Sequence, residues 1–403
     1  MAELILRGAV FTGDDFIQAG SVVVDQSSGI IVGVGRKGEV NEPRGARTIE
    51  IASSTILPGL IDAHVHFFGS KTHDLMEWVT TPETLVALRS VADLRRLVSA
   101  GFTAVRDLGS KAGTYLKRAV DEGIIDGPRI VAAGRSLSQT GGDDDPTILP
   151  LDMAERLSYS YYCDGPWECR RAVRKVERDG GDVIKVYASG SFAQGNRVRR
   201  QFTVEELKAI VEEAHTAGMR VASHAYGEDA LANSIEAGVD SIEHGIGLTP
   251  ELAKQIHDKG IYYVPTLSTY TATKPTTNQA RKKLTKRHLT EDMKIAKEFK
   301  LKIVAGTDYI GCDTGPHGEN YHEIVNLAKH IGNKEALIAA TSRAAQCLGL
   351  EKTGSIKQGY IADIIIVKGN PIERPENLSP NHIIHVMQKG RMQIINGKSN
   401  STV

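Results

Sequence analysis

The sequence predicts an α/β protein, a (β/α)8 TIM-type barrel with a small β-sandwich domain formed by both chain ends. Three observations carry this expectation. From about residue 56 to 349, short β-branched runs alternate with longer stretches of helical period, the pattern of parallel strands joined by crossover helices. Eight such runs can be counted, the number a closed barrel of this type needs. The turn-rich meander patterns are confined to the two ends.

In chain order, Ile5–Phe11, Ser21–Asp25 and Ile31–Val34 read as meander strands. The barrel strands follow at Ile56–Phe67, Phe102–Leu108, Arg129–Ala133, Val183–Ala188, Arg220–Tyr226, Ser241–His244, Tyr262–Leu267 and Ile303–Asp308. Helix starts are legible between them. Thr203 with Glu206 forms a capping box, and Thr249-Pro250-Glu251 puts proline in a first turn. The segment Thr269 to His288, rich in threonine, lysine and arginine, reads as a mobile surface loop or lid after the seventh strand. Strands Ala362–Val367, Ile384–Lys389 and Met392–Ile395 close the chain. Neither end holds enough apolar residues to fold alone, so residues 1–55 and 355–403 are expected to combine, leaving 56–354 as the catalytic barrel.

Composition narrows the function classes. The 403 residues are 41% hydrophobic and 24% charged, which excludes disorder. Lysine plus arginine and aspartate plus glutamate both number 49, so no global field exists to draw nucleic acid or anionic lipid. No window approaches the ~18 apolar residues of a membrane span, and Met1 to Thr12 does not read as a secretion signal. Cys163, Cys169, Cys312 and Cys347 make no CxxC pair and read as free thiols of a cytoplasmic protein. A small-molecule substrate is the expected partner, with neither nucleic acid nor membrane.

Catalytic residues of such barrels sit at the C-terminal ends of the strands, and five strands here carry metal-capable side chains there. Asp62-Ala63-His64-Val65-His66 ends the first, and alternate residues share a side, so both imidazoles can face one ion. Lys185 sits in the apolar run of the fourth. Burial favours a neutral amine, which can take up carbon dioxide as a carbamate whose two oxygens bridge two ions; the alternative is a lysine paired with a buried carboxylate. His224, His244 and Asp308 close the fifth, sixth and eighth strands, and Asp308 could both ligate a metal and take a proton from water.

Together with Leu57-Pro58-Gly59-Leu60-Ile61, Gly101-Phe102-Thr103-Ala104-Val105-Arg106-Asp107, Glu243-His244-Gly245 and Gly306-Thr307-Asp308, these stretches resemble the amidohydrolase superfamily. The run from Gly354 to Asp363 resembles that family's return into its small β-domain. Leu137-Ser138-Gln139-Thr140-Gly141-Gly142, Ile184-Lys185-Val186, Gln201 to Leu207 and His224-Ala225-Tyr226-Gly227 are similar to binuclear dipeptidases of the prolidase and arginine-carboxypeptidase type. The resemblance implies two divalent ions, zinc by default. His64, His66 and Asp308 would hold one, His224 and His244 the other, with Lys185 carboxylated by carbon dioxide as the bridge.

It also implies a bridging hydroxide nucleophile attacking an amide of a dipeptide or N-acyl amino acid. Asp308 would move the proton, and the Tyr226 hydroxyl would help polarise the carbonyl. Relatives carry histidine after Gly-Gly, where this chain has Asp143-Asp144-Asp145, so carbamates and aryl ureas are alternative substrates on the same scaffold. Arg197 and Arg199 are candidates for a substrate carboxylate and His317 for the pocket; solvated surface is the competing reading of the arginines. A homo-oligomer is expected from the family. A mononuclear deaminase or imidazolonepropionase-like hydrolase would not need Lys185, and a scaffold relative that had lost its metals would not need the complete ligand set.

Overall fold

The computed structural model describes residues 3–192, 198–272 and 278–400. The chain opens with β1 (Glu3–Phe11), β2 (Phe16–Asp25), β3 (Ile30–Arg36) and β4 (Arg47–Pro58). It continues with β5 (Leu60–Val65), β6 (Phe102–Asp107), β7 (Arg129–Ala132), β8 (Ser136–Ser138) and β9 (Ser160–Tyr162). Next come β10 (Val183–Tyr187), β11 (Arg220–Tyr226), β12 (Ser241–Ile246), β13 (Tyr262–Val264) and β14 (Lys302–Ile303). It ends with β15 (Ile364–Lys368), β16 (Ile383–Gln388), β17 (Arg391–Ile395) and β18 (Lys398–Ser399).

Both chain ends meet in one eight-stranded sheet ordered β18-β17-β16-β15-β4-β1-β2-β3. Alternation places Leu4, Leu6, Ile56, Ile364 and Ile366 in a common apolar cluster, which neither end could bury by itself. The remaining strands run parallel in a seven-stranded sheet, β14-β13-β12-β11-β10-β8-β9, and a three-stranded one, β5-β6-β7. Of these, β5, β6, β10 and β12 are buried throughout, as expected of parallel strands covered by helices. Helix Val204–Thr216 shows the covering logic. The Thr203–Glu206 capping box starts it, and Leu207, Ile210, Val211 and Ala214 form its buried stripe.

The two parallel sheets are joined by single hydrogen bonds. On one side Ala63 N–H donates to Ala305 O (2.9 Å) and Asp308 N–H to His64 O (2.7 Å); on the other Asp182 N–H donates to Ala132 O (2.7 Å).

Four expectations need correction. The first barrel strand is not continuous over Ile56–Phe67. Ile56–Pro58 belongs to β4 and pairs with β15, and the chain turns into β5 at Gly59, where a Cβ would stand 2.0 Å from Thr103 Oγ1. The seventh stops at Val264, because Pro265 has no N–H to donate and Thr266 adopts φ 50°. The eighth leaves its ladder after Ile303. Finally, the described parts of Thr269–His288 are largely helical, 273–277 lying outside the described residues: Leu267–Ala272 and Gln279–Arg287 are helices, the second capped by Asn278 Oδ1 accepting from Arg281 N–H at 2.9 Å. Its lysines and arginines are good helix formers, so a charged stretch here was not a loop signal. β8 and β9 were not anticipated, being only three residues each.

Glu323 is buried beneath the helix that begins at Leu267, accepting from the backbone N–H groups of Leu267 (3.0 Å) and Ser268 (2.7 Å). Burial lifts its carboxyl to about 8. Between the ordinary carboxylate value and 8 the native state therefore binds a proton that the unfolded chain releases, and stability falls as pH rises through that window. Asp62 and Asp107 are raised only to about 6, and Asp143, raised further, is common to wild type and Glu323→Gln, so the difference between the two from pH 7 to 8 reports Glu323. Urea unfolding should show stability dropping there by up to about 1.4 kcal/mol per pH unit. Glu323→Gln should flatten that slope; an unchanged slope would refute the assignment.

Candidate metal centre

On β5 a strict period of two would place Asp62, His64 and His66 on the face opposite Ile61 and Ala63. Ile61 and Ala63 pack with Val131, Val183, Ala222, Val264 and Val304, one residue from each of several strands. The histidines nonetheless reach the same interior, because β5 bulges. Asp62 pairs with Val105 and Val65 with Asp107, so three steps on β5 span two on β6. Val65, of the same parity as Ile61, accordingly packs in a different cluster. The extra residue changes the phase of the strand and turns both imidazoles inward.

β12 uses a second irregularity. Glu243 and His244 are consecutive yet both face the site, since His244 adopts φ 65° and the register with β11 shifts there. Gly245 follows at φ 67°, with a hypothetical Cβ only 2.2 Å from Tyr263 Cε2, so only glycine fits. Asp308 is also left-handed, at φ 60°. Such non-glycine residues cost about 1–3 kcal/mol each and persist where the surroundings over-determine them.

The donor atoms converge. His64 Nε2 and His66 Nε2 lie 3.4 and 3.2 Å from Asp308 Oδ1, and the three groups offer ligand atoms all within 4.8 Å of one another. Lys185 Nζ is 3.4 Å from His64 Nε2. The His224 and His244 rings lie 4.6 Å apart, and His244 is 5.1 Å from His64. Three of the rings are fixed from behind through Nδ1. For His64 the partner is Glu243 Oε2 (2.9 Å), for His66 Gly109 O (2.9 Å) and for His244 Thr266 Oγ1 (2.7 Å). A carboxylate and a carbonyl only accept, so His64 and His66 carry their proton on Nδ1 and present a lone pair at Nε2.

A divalent cation fits this donor set. Buried His224 Nε2 has no hydrogen-bond partner among the described residues, and converging lone pairs repel unless a cation joins them. Burial, with the Lys185 charge next, holds His64 and His224 well below the ordinary imidazole range; for His244, burial and the neighbouring His224 do the same. Neutral imidazoles are the ligating form. Burial also pushes the Lys185 amine down, while Glu243 and Asp308 pull it back. The alternative partner for Lys185, a buried carboxylate in direct contact, is absent among the described ion pairs.

Sequence reasoning missed the supporting layer. Arg106, buried on β6, donates to Glu243 Oε1 (2.7 Å), Ala63 O (2.6 Å) and Ser241 Oγ (3.1 Å). Asp62 accepts from His64 N–H (3.0 Å), Thr307 Oγ1 (2.8 Å) and Asn320 Nδ2 (2.7 Å), tying β5 to the Asp308 loop. An arginine inside the predicted strand Phe102–Leu108, directly after an apolar run, was a signal of the same kind as Lys185. Arg106→Met should cost about 3–5 kcal/mol by leaving Glu243 buried without its cation and weaken metal binding 10–100-fold through His64. Urea unfolding and metal titration check both, and unchanged values would remove Arg106 from the support of the site.

The centre forms the floor of a cavity of about 560 Å³. One wall holds Phe68, Trp78, Tyr159 and Ile310; the other holds Phe192, Tyr226 and Tyr270. Tyr226 stacks on His224, with ring centres 4.3 Å apart, and its hydroxyl meets that of Tyr270 at 2.7 Å. Burial raises the Tyr226 phenol well above its ordinary value, so it stays a donor. Asp143 lines the cavity and accepts from Ser191 Oγ (3.0 Å). Burial, then the adjacent Asp144, raises it well above the carboxylate range.

Two candidates are corrected. His317 does not line the cavity; it is buried behind it, with Nε2 3.1 Å from His66 O, because its loop turns under β5. Arg199 is exposed and also absent from the lining. Arg197 lies outside the described residues.

The amidohydrolase family model matches residues 55–392. Ochratoxinase from Aspergillus niger is 32% identical over 362 residues, covering 84% of this chain and 75% of that one. Its crystal structure superposes with a TM-score of 0.90 at 28% identity, over 98% of this chain and 96% of that one. A prolidase complexed with N-methylphosphonate-L-proline gives 0.87 at 32% identity, and a Xaa-Pro dipeptidase 0.84 at 31%; each match covers 97% of this chain and 99% of the other. With the family model matched over most of its length and the metal-capable side chains converging on one floor, this chain belongs to the amidohydrolase family and is a hydrolase.

Proposed function

We propose that the protein hydrolyses the amide bond of an N-acyl amino acid or dipeptide. It would use two divalent ions, zinc by donor type, held by His64, His66, His224, His244 and Asp308 and bridged by carboxylated Lys185. The observation that carries this reading is the convergence of those side chains at the floor of an aromatic-walled cavity. The likeness to prolidases and to ochratoxinase supports it. On this reading residues 56–354 close into a (β/α)8 barrel, and residues 1–55 with 355–403 form a small β-sandwich domain beside it. The four free cysteines suit a reducing cytoplasm.

Bound divalent ions would polarise the scissile carbonyl and lower the pKa of water. The chain's own residues do the rest. Asp308, with 22% of its side chain exposed, is the ligand open to the cavity, so its carboxylate can take the water's proton and deliver it to the leaving nitrogen. The Tyr226 hydroxyl donates toward the carbonyl oxygen as charge develops. Asp143, kept protonated by burial, is a second donor where relatives have histidine; a neutral carboxylic acid can do what a carboxylate cannot.

The test is a hydrolysis screen of the metal-loaded protein against N-acyl amino acids, dipeptides ending in proline or a basic residue, carbamates and ureas. Cleavage of the first two classes is expected. Cleavage of carbamates or ureas alone would replace the substrate class, and activity on none would overturn the reading.

A further inference from the structure

Besides Lys185 at the metal site, the cavity lining holds two cations, Lys71 and Arg281, and neither has a carboxylate partner among the described ion pairs. Arg281 is the only arginine in its lining among the described residues, and no described carboxylate lies within ion-pair distance of its guanidinium. It sits in the first turn of helix Gln279–Arg287, held there by the Asn278 cap. Its guanidinium carbon lies 5.3 Å from the centre of the Phe192 ring. Phe192 in turn is 5.2 Å from Tyr226, which stacks on His224. A row of three rings therefore leads from a metal ligand to a fixed positive charge.

The facing wall is different. Phe68, Trp78 and Tyr159 pack with ring centres 4.7 to 6.3 Å apart, and the cation beside them, exposed Lys71, lacks the planar fork of an arginine. The cavity thus has an apolar half and a half ending in an arginine whose planar fork matches a carboxylate and whose face is steadied by an aromatic ring. We propose that Arg281 binds the α-carboxylate on the amine side of the substrate as a bidentate pair, and that the uncharged acyl half lies against Phe68 and Trp78. This assignment rests on the amide-hydrolase reading above. It replaces Arg197 and Arg199 as the carboxylate partner and makes Arg281 a specificity-determining residue.

The experiment compares metal-loaded wild type, Arg281→Met and Arg281→Lys, each checked for metal content and unfolding midpoint. N-benzoyl-leucine and its C-terminal carboxamide are the hydrolysis probes, and calorimetry measures the binding of leucine and leucinamide. Wild type should favour the acid over the carboxamide by at least 30-fold in kcat/KM. In Arg281→Met that ratio should fall at least 10-fold, mainly through KM, with Arg281→Lys between, since an ammonium keeps the charge and loses the fork. Leucine should lose its advantage over leucinamide in parallel. An unchanged ratio, or leucine affinity equal in wild type and Arg281→Met, would overturn the proposal. If wild type cleaves neither benzoyl compound, the amide-hydrolase reading fails there, while leucine binding that depends on Arg281 would still uphold the carboxylate subsite.

Discussion

Lys185→Ala is expected to strip most bound metal and to lower kcat by about 10³-fold or more, equivalent to at least about 4 kcal/mol of barrier. Lys185 lies at the centre of the donor set, 3.4 Å from His64 Nε2, with an amine that burial pushes toward neutrality. On the proposed ligand set, losing the two oxygens of a carbamate would leave one ion only His224 and His244, too few for a tight site. Metal analysis and turnover read both effects. Acetate added to the variant should restore part of each, because a free carboxylate can occupy the vacated space and offer two oxygens. Full metal content in the variant would refute the bridging role.

Asp308→Asn should separate proton transfer from ligation. Asparagine keeps an Oδ1 beside His64 and His66 but cannot accept the water's proton, so kcat should fall about 10²- to 10⁴-fold while metal occupancy falls less. The substitution suits the backbone, since Asp308 adopts φ 60° and asparagine tolerates that region better than alanine would. Asp308→Ala should therefore lose stability as well as activity. A normal rate in Asp308→Asn would remove this carboxylate from the chemistry.

Much of this was legible in the chain. The strand–helix alternation predicted parallel strands, and β5, β6, β7, β10, β11 and β12 begin where the apolar runs place them or within a few residues. The ends meet in one sheet because neither buries its apolar face alone. The residues proposed as donors stand out in the sequence as well: histidine, lysine and aspartate inside apolar runs contradict their surroundings, and a buried polar group needs a partner. The same argument applied to Arg106 would have found it. The charged stretch after β13 misled because lysine and arginine serve a solvent-facing helix as readily as a loop.

The sequence by itself determined which side chains could carry chemistry and on which strands they ride, because hydrophobic periodicity and buried polar residues are local signals. Only the tertiary structure decided where those side chains point. A period of two sends His64 and His66 away from Ala63, and Glu243 away from His244; the bulge in β5 and the left-handed backbone at His244 and Asp308 reverse that. These departures are set by pairing with a neighbouring strand and by packing against residues far along the chain. The orphan charge of Arg281 is of the same kind, since only its place against Phe192 at the cavity mouth distinguishes it from the surface arginines around it.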